Sequence, residues 1–178
     1  AFSMLEMSFV LFTEKRLELS SEEAAPVAGY LFLYLGMVIA VVQGGLIGRL
    51  TKLYGEQTLV SAGLLIVSAG MMLITQTPVG SFAILLLFVA VVAVGQSLVN
   101  PSLLSLISRN TPVEHQGSIM GLNQSGLAFA RTVGPAVAGW LFDISLNLPF
   151  WVGGALILVA FMASWGLLRR SRLEPIHP

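Results

Sequence analysis

A permanently charged side chain lies in the middle of one long apolar segment of this sequence. Arg131 is the central charge of GLNQSGLAFARTVGPAVAG, which runs from Gly121 to Gly139. An arginine at the centre of a bilayer-spanning helix costs about 2.5–3.5 kcal/mol on insertion scales, so it is expected to face a partner or a water-filled cavity. Gln124 lies seven residues earlier and therefore shares a helical face with Arg131. The sequence predicts that this face avoids lipid.

An acidic residue lies within the first apolar run, AFSMLEMSFVLF. At the helical rise of about 1.5 Å per residue, Glu6 is about 9 Å from one end of this run. A carboxyl group held at that depth could bind and release a proton. Two other roles stay open for Glu6: a partner for an arginine, or a group hydrated from the aqueous vestibule at that end of the helix.

Neutral amide side chains lie in two of the apolar segments. Gln96 and Asn100 are four residues apart on one helical face, and Asn100 precedes Pro101, which removes a backbone hydrogen bond and can kink the helix. Asn123 adjoins Gln124. Such amides either orient a bound molecule or form hydrogen bonds between helices, and the sequence leaves both roles open.

The residue types that enzymes need do not occur in a usable arrangement. There is no cysteine, no Gly-rich phosphate loop with its lysine, and no spacing of potential ligands typical of zinc. The formal net charge is +0, which gives no indication of a nucleic-acid partner. We therefore expect no enzyme activity, no cofactor, no metal site and no nucleic-acid partner.

The composition is that of a membrane protein. The chain has 178 residues, of which 56% are hydrophobic and 10% are charged, whereas soluble domains carry about 25% charged residues. A bilayer core of about 30 Å needs roughly 20 apolar residues in a helix. The sequence predicts an all-α membrane protein with a single helical bundle over residues 1–178. The expected spans are 1–12, truncated because the chain begins within an apolar run, 25–48, 59–76, 82–108, 116–142 and 149–168.

Basic residues in the predicted connections indicate the orientation. One side would carry six of them, and the other only Lys15 and Arg16, diluted by nearby glutamates. Because cytoplasmic loops are enriched in Lys and Arg, the side with six is expected to be cytoplasmic, and the C-terminus lies on that side. The six are Arg49, Lys52, Arg109, Arg169, Arg170 and Arg172.

Local patterns predict two helix starts and one close helix contact. Ser20 with Glu23, and Thr111 with Glu114, each fit a capping box ahead of an apolar run. Small residues recur every four positions in the second span and would let another helix approach closely. They are Gly36, Ala40, Gly44 and Gly48.

The segment GGLIGRLTKLYGEQ resembles the short loop of the major facilitator superfamily, whose pattern is roughly G-x-L-x-D-R-x-G-R-K. This loop occurs in both halves of these transporters and is commonly degenerate in the second. The resemblance implies a gating-type loop that contains Gly48, Leu50, Lys52 and Gly55, in a C-terminal copy. Gly48, Leu50 and Gly55 match the pattern, whereas Lys52, Leu53, Glu56 and Gln57 depart from it.

Two further segments resemble the tenth and eleventh helices of drug/proton antiporters, including the tetracycline-efflux type. They are GQSLVNPSLLSLISRNTPVEHQGSIMGLNQS and ARTVGPAVAGWLFD. The resembling elements are the Asn100–Pro101 break, the turn S-R-x-x-P-x-E-x-Q-G and the Gly134–Pro135 pair, where a helix can bend. The resemblance implies the C-terminal half of a twelve-helix fold, with the end of the seventh helix and helices eight to twelve. The missing N-terminal six-helix half would be its partner.

The resemblance implies a secondary active transporter of the bacterial cytoplasmic membrane that works by alternating access. The favoured branch is proton-coupled efflux of small amphipathic molecules, so a small-molecule substrate, protons and the lipid bilayer are the expected partners. Arg131 would contact substrate or control a neighbouring proton carrier, because the eleventh helix lines the cavity in this family; it could instead tie its helix to an acidic residue or to carbonyl groups. The candidates for the substrate and proton pathway are Arg131, Glu6, Gln96, Asn100, Gln124 and Asn123.

Two other functions stay open. One is an importer of a polar metabolite on the same fold, which a cavity with several hydrogen-bonding groups or paired charges would favour. The other is a non-transporting membrane module on a facilitator-like scaffold, which a closed apolar bundle centre with a fully paired Arg131 would favour.

Overall fold

The chain folds into helices joined by short turns. The computed structural model describes the backbone of residues 2–173 and the side chains of residues 9–20 and 22–166. Across the described backbone there is no β-strand, which confirms the predicted all-α architecture. The α-helices are α1 (Phe2–Leu17), α2 (Ser21–Val41), α3 (Ile47–Tyr54), α4 (Glu56–Ile74), α5 (Phe82–Arg109), α6 (Gln116–Ile144) and α7 (Leu148–Leu173).

The first helix continues past the apolar run that predicted it. Because α1 ends at Leu17, the predicted connection to α2 shortens to residues 18–20. Glu18 has a positive φ of 54° and turns the chain. At the start of α2, the backbone N–H and the hydroxyl of Ser20 both donate to the Glu23 carboxylate, at 3.1 and 2.7 Å. The bond from the backbone N–H is the one that the capping-box pattern predicts, and the capping box at Ser20 is confirmed.

The segment predicted as a gating-type loop is helical, which corrects its predicted conformation, whereas its gating role stays a prediction. After α2 the chain forms one turn of π-helix at Val42–Leu46 and continues directly into α3. Gly48, Leu50 and Lys52 therefore lie on a helix, and Gly55, with φ 78° and ψ 156°, separates α3 from α4. Hydropathy marks where a helix leaves the bilayer, but the helix can continue beyond that point, and here it continues until Gly55 interrupts it.

Among the described residues, four helices are long and apolar enough to cross a membrane. α6 has 29 residues and is long enough, but its amides and charges, Arg131 among them, make it too polar to be one of the four. α1 has 16 residues, fewer than the roughly 20 that span a bilayer. The spans expected at 1–12 and 116–142 therefore stay predictions. The four are the continuous helix Glu22–Tyr54, α4, α5 and the part Leu148–Gly166 of α7.

The helix α4 packs closely against α5 and α7. Glycines allow this approach: a Cβ on Gly63 would lie 2.8 Å from the carbonyl oxygen of Gly95, and a Cβ on Gly95 would lie 2.8 Å from the nitrogen of Val67. These neighbours are backbone atoms, which cannot swing aside, so the crossing of α4 and α5 requires glycine. Ser68 on α4 also donates a hydrogen bond to the carbonyl of Gly154 on α7 at 2.8 Å.

The glycines of the small-residue stripe, which runs from α2 through the π turn into α3, make no such contact with the residues that the structure describes. Among the described residues, nothing lies within 4 Å of a Cβ built on Gly36, Gly44 or Gly48. Within the described residues, the close helix approach predicted for this stripe is found instead between α4 and α5, and the positions of these three glycines are open.

An aromatic core lies at the end of the bundle where α4 turns into α5. Phe12 of α1 is 0% exposed and packs against Phe150 of α7, with ring centroids 4.7 Å apart. Just beyond it, the guanidinium of Arg16 donates to the carbonyl of Thr75 at 2.5 Å. These contacts tie the end of α1 to both α7 and the turn after α4.

The helix α6 packs on α1 and α7 but contributes little to the core. Ala138 and Leu141 are its buried residues, all of α6 being within the described part of the chain. The hydroxyl of Thr111 donates to the carbonyl of Ile107 at 2.6 Å, and a 3₁₀ turn at Val113–His115 precedes α6. The capping box predicted at Thr111 is wrong, because the 3₁₀ turn has Pro112 and α6 has His115 at the N-cap, and neither has a side-chain cap bond.

Candidate functional site

The polar face of α6 is open. Arg131 and Gln124 are both exposed and lie seven residues, about two helical turns, apart. Neither side chain has a hydrogen bond or ion pair with another described residue. The nearby hydroxyl of Thr132 is occupied by its own helix, through the carbonyl of Ala128 at 3.0 Å. The guanidinium and the amide are therefore available to a group from outside the described residues.

The other pathway candidates are not joined to Arg131 by any contact among the described residues. Glu6 lies on α1, which packs against α6, but its side chain is outside the described residues. Asn123 on α6 and Gln96 on α5 are half-buried, and Asn100 is exposed. None of these three amides has a hydrogen bond to another described residue. Their assignment to a substrate or proton pathway stays a prediction.

Both of the predicted bend positions lie within continuous helices. α5 runs through Pro101 and α6 runs through Pro135, and both residues are half-buried. A proline nitrogen cannot donate to the preceding turn, so each helix lacks one backbone hydrogen bond there. Gly134, also half-buried, adds backbone freedom beside Pro135. A bend at these positions stays a prediction.

The residues that resemble the superfamily loop give α3 one basic surface. Gly48 and Lys52 are exposed, as is Arg49, whereas Leu50 is half-buried. Gly55 follows with a positive φ of 78°, a conformation that residues with a Cβ rarely adopt. The turn into α4 therefore depends on glycine at this position.

A hydrogen-bonded cluster around the single carboxylate of Glu56 joins the start of α4 to the end of α5. The sequence did not predict this cluster. Glu56 accepts hydrogen bonds from Ser105 Oγ at 2.5 Å and from Arg109 Nη1 at 3.2 Å. The side chain of Glu56 is 9% exposed, whereas that of Arg109 is 73% exposed. The pairs are separated by 49 and 53 residues, so no local spacing reveals them. The one sequence signal is an acidic residue directly after Gly55, because a helix start favours negative charge.

The comparisons with known proteins identify a transporter family. The family model described as Major Facilitator Superfamily matches residues 1–178. The chain is 25% identical to Multidrug resistance protein 2 of Bacillus subtilis over 157 residues, which cover 88% of this chain and 38% of that protein. It is 29% identical to Multidrug resistance protein 1 of Bacillus subtilis over 147 residues, which cover 82% of this chain and 36% of that protein. Quinolone resistance protein NorA of Staphylococcus aureus is 28% identical over 123 residues, which cover 64% of this chain and 31% of NorA.

No solved structure matches the chain significantly. The chain spans little more than a third of the length of the two Bacillus subtilis relatives. The family match nevertheless covers the whole sequence, and the described helices include four that can cross a membrane. The resemblance seen in the sequence is thereby confirmed, and this integral membrane protein belongs to the Major Facilitator Superfamily of transporters.

Proposed function

We propose that this chain is the C-terminal half of a secondary active transporter, and that the complete protein exports small amphipathic molecules in exchange for protons. Two six-helix halves would rock about a central site and expose it alternately to each side of the membrane. The observation that carries the proposal is the open polar face of α6, where Arg131 is exposed and has no partner among the described residues.

The charge on α6 is easier to reconcile with a water-filled cavity than with lipid. An exposed Arg131 against lipid would cost about 2.5–3.5 kcal/mol on insertion scales, whereas an arginine that lines a hydrated cavity keeps most of its solvation. Gln124 adds a hydrogen-bond donor and acceptor on the same face. This face therefore supports a role in lining the transport cavity, in which Arg131 binds substrate or sets the charge next to a proton carrier.

The open surfaces of α2 and α6 support a second half that covers them. Among the described residues, nothing lies within 4 Å of a Cβ on Gly36, Gly44 or Gly121. Large apolar side chains are exposed as well, including Tyr30 at 67% and Phe129 at 70%. The chain covers 38% of Multidrug resistance protein 2, and the remaining length of such a protein is sufficient for six further helices of roughly 20 residues.

Export is supported by the relatives, which are named as multidrug and quinolone resistance proteins. Proton coupling is supported by Glu6, a carboxyl group on a helix that packs against α6. The exposed basic residues Arg49, Lys52 and Arg109 lie at the end of the bundle where α3 meets α4. By the positive-inside rule, this end and the C-terminus would face the cytoplasm of a bacterial cell, with the bundle in the cytoplasmic membrane.

The test is a transport assay on the full-length protein in membrane vesicles. A panel of amphipathic dyes and polar metabolites would be followed in both directions, with and without a proton gradient. We expect export of amphipathic dyes that stops when the gradient is dissipated. Uptake of a polar metabolite without dye export would favour the importer, and no transport in either direction would favour a non-transporting module.

Replacing Arg131 separates its role from the general packing of α6. Arg131→Ala should abolish dye export and leave membrane insertion intact, because the side chain has no described partner that the fold would lose. Phe129→Ala is the matched control, since Phe129 is 70% exposed on the same helix but not on the face of Gln124. An Arg131→Ala protein that exports like the parent would show that the role assigned to Arg131 is wrong.

A further inference from the structure

A cavity of about 340 Å³ lies between α3, the start of α4 and the part of α5 that follows its proline. This volume is at the small end of the range of about 300–1,000 Å³ found for small-molecule sites. Ile47 and Pro101 form apolar walls, and Glu56, Ser102 and Ser105 are its polar lining. The cavity therefore combines an apolar body with a few convergent polar groups.

One of these polar groups is unsatisfied. Ser102 is 2% exposed, and its Oγ has no hydrogen-bond partner among the described residues. A buried hydroxyl left in this state costs about 1–3 kcal/mol, and nearly all such groups in folded proteins find a partner. Ser102 and Ser105 lie three residues apart on one face of α5, and both line the cavity with Glu56. The Oγ is also shielded from solvent in this conformation, so an occupant of the cavity supplies the missing partner once the Ser102 side chain turns about its Cα–Cβ bond towards the cavity.

The negative charge in the cavity is only partly compensated. Arg109 reaches Glu56 through a single contact of 3.2 Å, and its side chain is 73% exposed, so solvent screens most of this ion pair. Ser105 donates to one carboxylate oxygen at 2.5 Å. The two oxygens of a carboxylate can accept about four hydrogen bonds in total, which leaves capacity for further donors.

These properties select the chemistry of the occupant. An anion would be repelled by Glu56, and a neutral alcohol would leave its charge uncompensated. A primary ammonium group carries a positive charge and three N–H donors, so it has donors for both the Glu56 carboxylate and a Ser102 hydroxyl turned towards the cavity. Lys52 lines the same cavity and is exposed, so its ammonium group would compete with such a ligand.

We infer that this cavity binds small protonated primary amines that carry a short apolar chain. With the Ser102 side chain turned towards the cavity, the ammonium group donates to the Glu56 carboxylate and to Ser102 Oγ, and the chain packs between Ile47 and Pro101. This binding does not depend on the transport activity proposed above, since it uses none of the residues on the polar face of α6.

The test is a calorimetric titration of the full-length protein in detergent with three matched probes. n-Hexylammonium has the charge and the N–H donors, n-hexyltrimethylammonium has the charge alone, and n-hexanol has neither. We expect n-hexylammonium to bind about tenfold more tightly than either of the other two, the effect of one well-formed charge-assisted hydrogen bond. Equal affinity for all three probes, or no binding of n-hexylammonium, would overturn the inference.

Variants locate the binding in this cavity. Ser102→Ala should weaken n-hexylammonium binding about tenfold, and it should not destabilise the fold, because it removes an unsatisfied hydroxyl. Ser97→Ala is the control on the same helix, since the Ser97 hydroxyl is already bonded to the carbonyl of Val94 at 2.6 Å. Lys52→Gln should leave the affinity unchanged or raise it. Unchanged binding by Ser102→Ala, or weaker binding by Lys52→Gln, would show that the amine does not bind as inferred.

Discussion

The crossing of α4 and α5 sets a limit on side-chain size that Gly95→Ala would exceed. A Cβ at this position would lie 2.7 Å from Val67 Cγ2, 2.8 Å from the nitrogen of Val67 and 2.9 Å from the carbonyl oxygen of Gly63. Ordinary van der Waals contact begins at 3.4 Å, so the backbone of α4 would have to retreat by about half an ångström. Neither backbone atom can turn aside as the end of a side chain can.

The size of the effect follows from two opposing contributions. Overpacking of a close-packed interior costs about 1–3 kcal/mol, whereas alanine in place of glycine within a helix gains about 0.5–1 kcal/mol. We expect Gly95→Ala to lower the free energy of unfolding by up to about 2.5 kcal/mol. Gly166→Ala on α7 is the matched control, because no described atom lies within 4 Å of its Cβ. Both variants gain the same stabilisation from alanine in place of glycine within a helix. Their free energies of unfolding should therefore differ by about 1–3 kcal/mol.

The free energy of unfolding would be measured for the full-length protein in detergent micelles by denaturant titration, with helix content as the signal. Comparison of the two alanine variants removes the contribution of the detergent, which is common to both. If Gly95→Ala were as stable as Gly166→Ala, or more stable, the helices would not be in glycine-mediated contact, and the reasoning would be wrong.

Two other substitutions test the packing by the same titration. Phe12→Ala should lower the free energy of unfolding by about 3–5 kcal/mol, because Phe12 is 0% exposed and packs against Phe150; a loss below about 1 kcal/mol would contradict its burial. Arg109→Gln should change that free energy by less than about 1 kcal/mol, because the Arg109 side chain is 73% exposed beside Glu56; a larger loss would show that their ion pair is shielded from solvent.

The sequence predicted the features that depend on composition and on the period of a helix. Long apolar runs must form helices in a bilayer, because every backbone polar group needs an internal partner there. The helices α4, α5 and α7 follow from this requirement alone. The shared face of Arg131 and Gln124 follows in the same way from the helical repeat.

The sequence could not predict features that depend on contacts between distant segments. A glycine that meets another helix, such as Gly63, has the same local signature as Gly36, whose Cβ position is open among the described residues. The cluster of Glu56 with Ser105 forms across 49 residues, so only the packing of α4 on α5 reveals it. The sequence does not predict α3 for a different reason: the segment becomes polar where the apolar run ends, but the helix continues up to Gly55.

The π turn at Val42–Leu46 affects how this segment compares with related sequences. A π turn holds about one residue more than an α turn of similar height, and each residue advances an α-helix by about 100°. The extra residue is absorbed locally, so Gly48 does not continue the line of Gly36 and Ala40 along the helix surface. A homologue with one residue fewer here would present the same side of α3 to α5 on a regular helix. In a sequence alignment, a gap of one position at this turn therefore marks a homologue that lacks the π turn. The register of the flanking helices is unchanged.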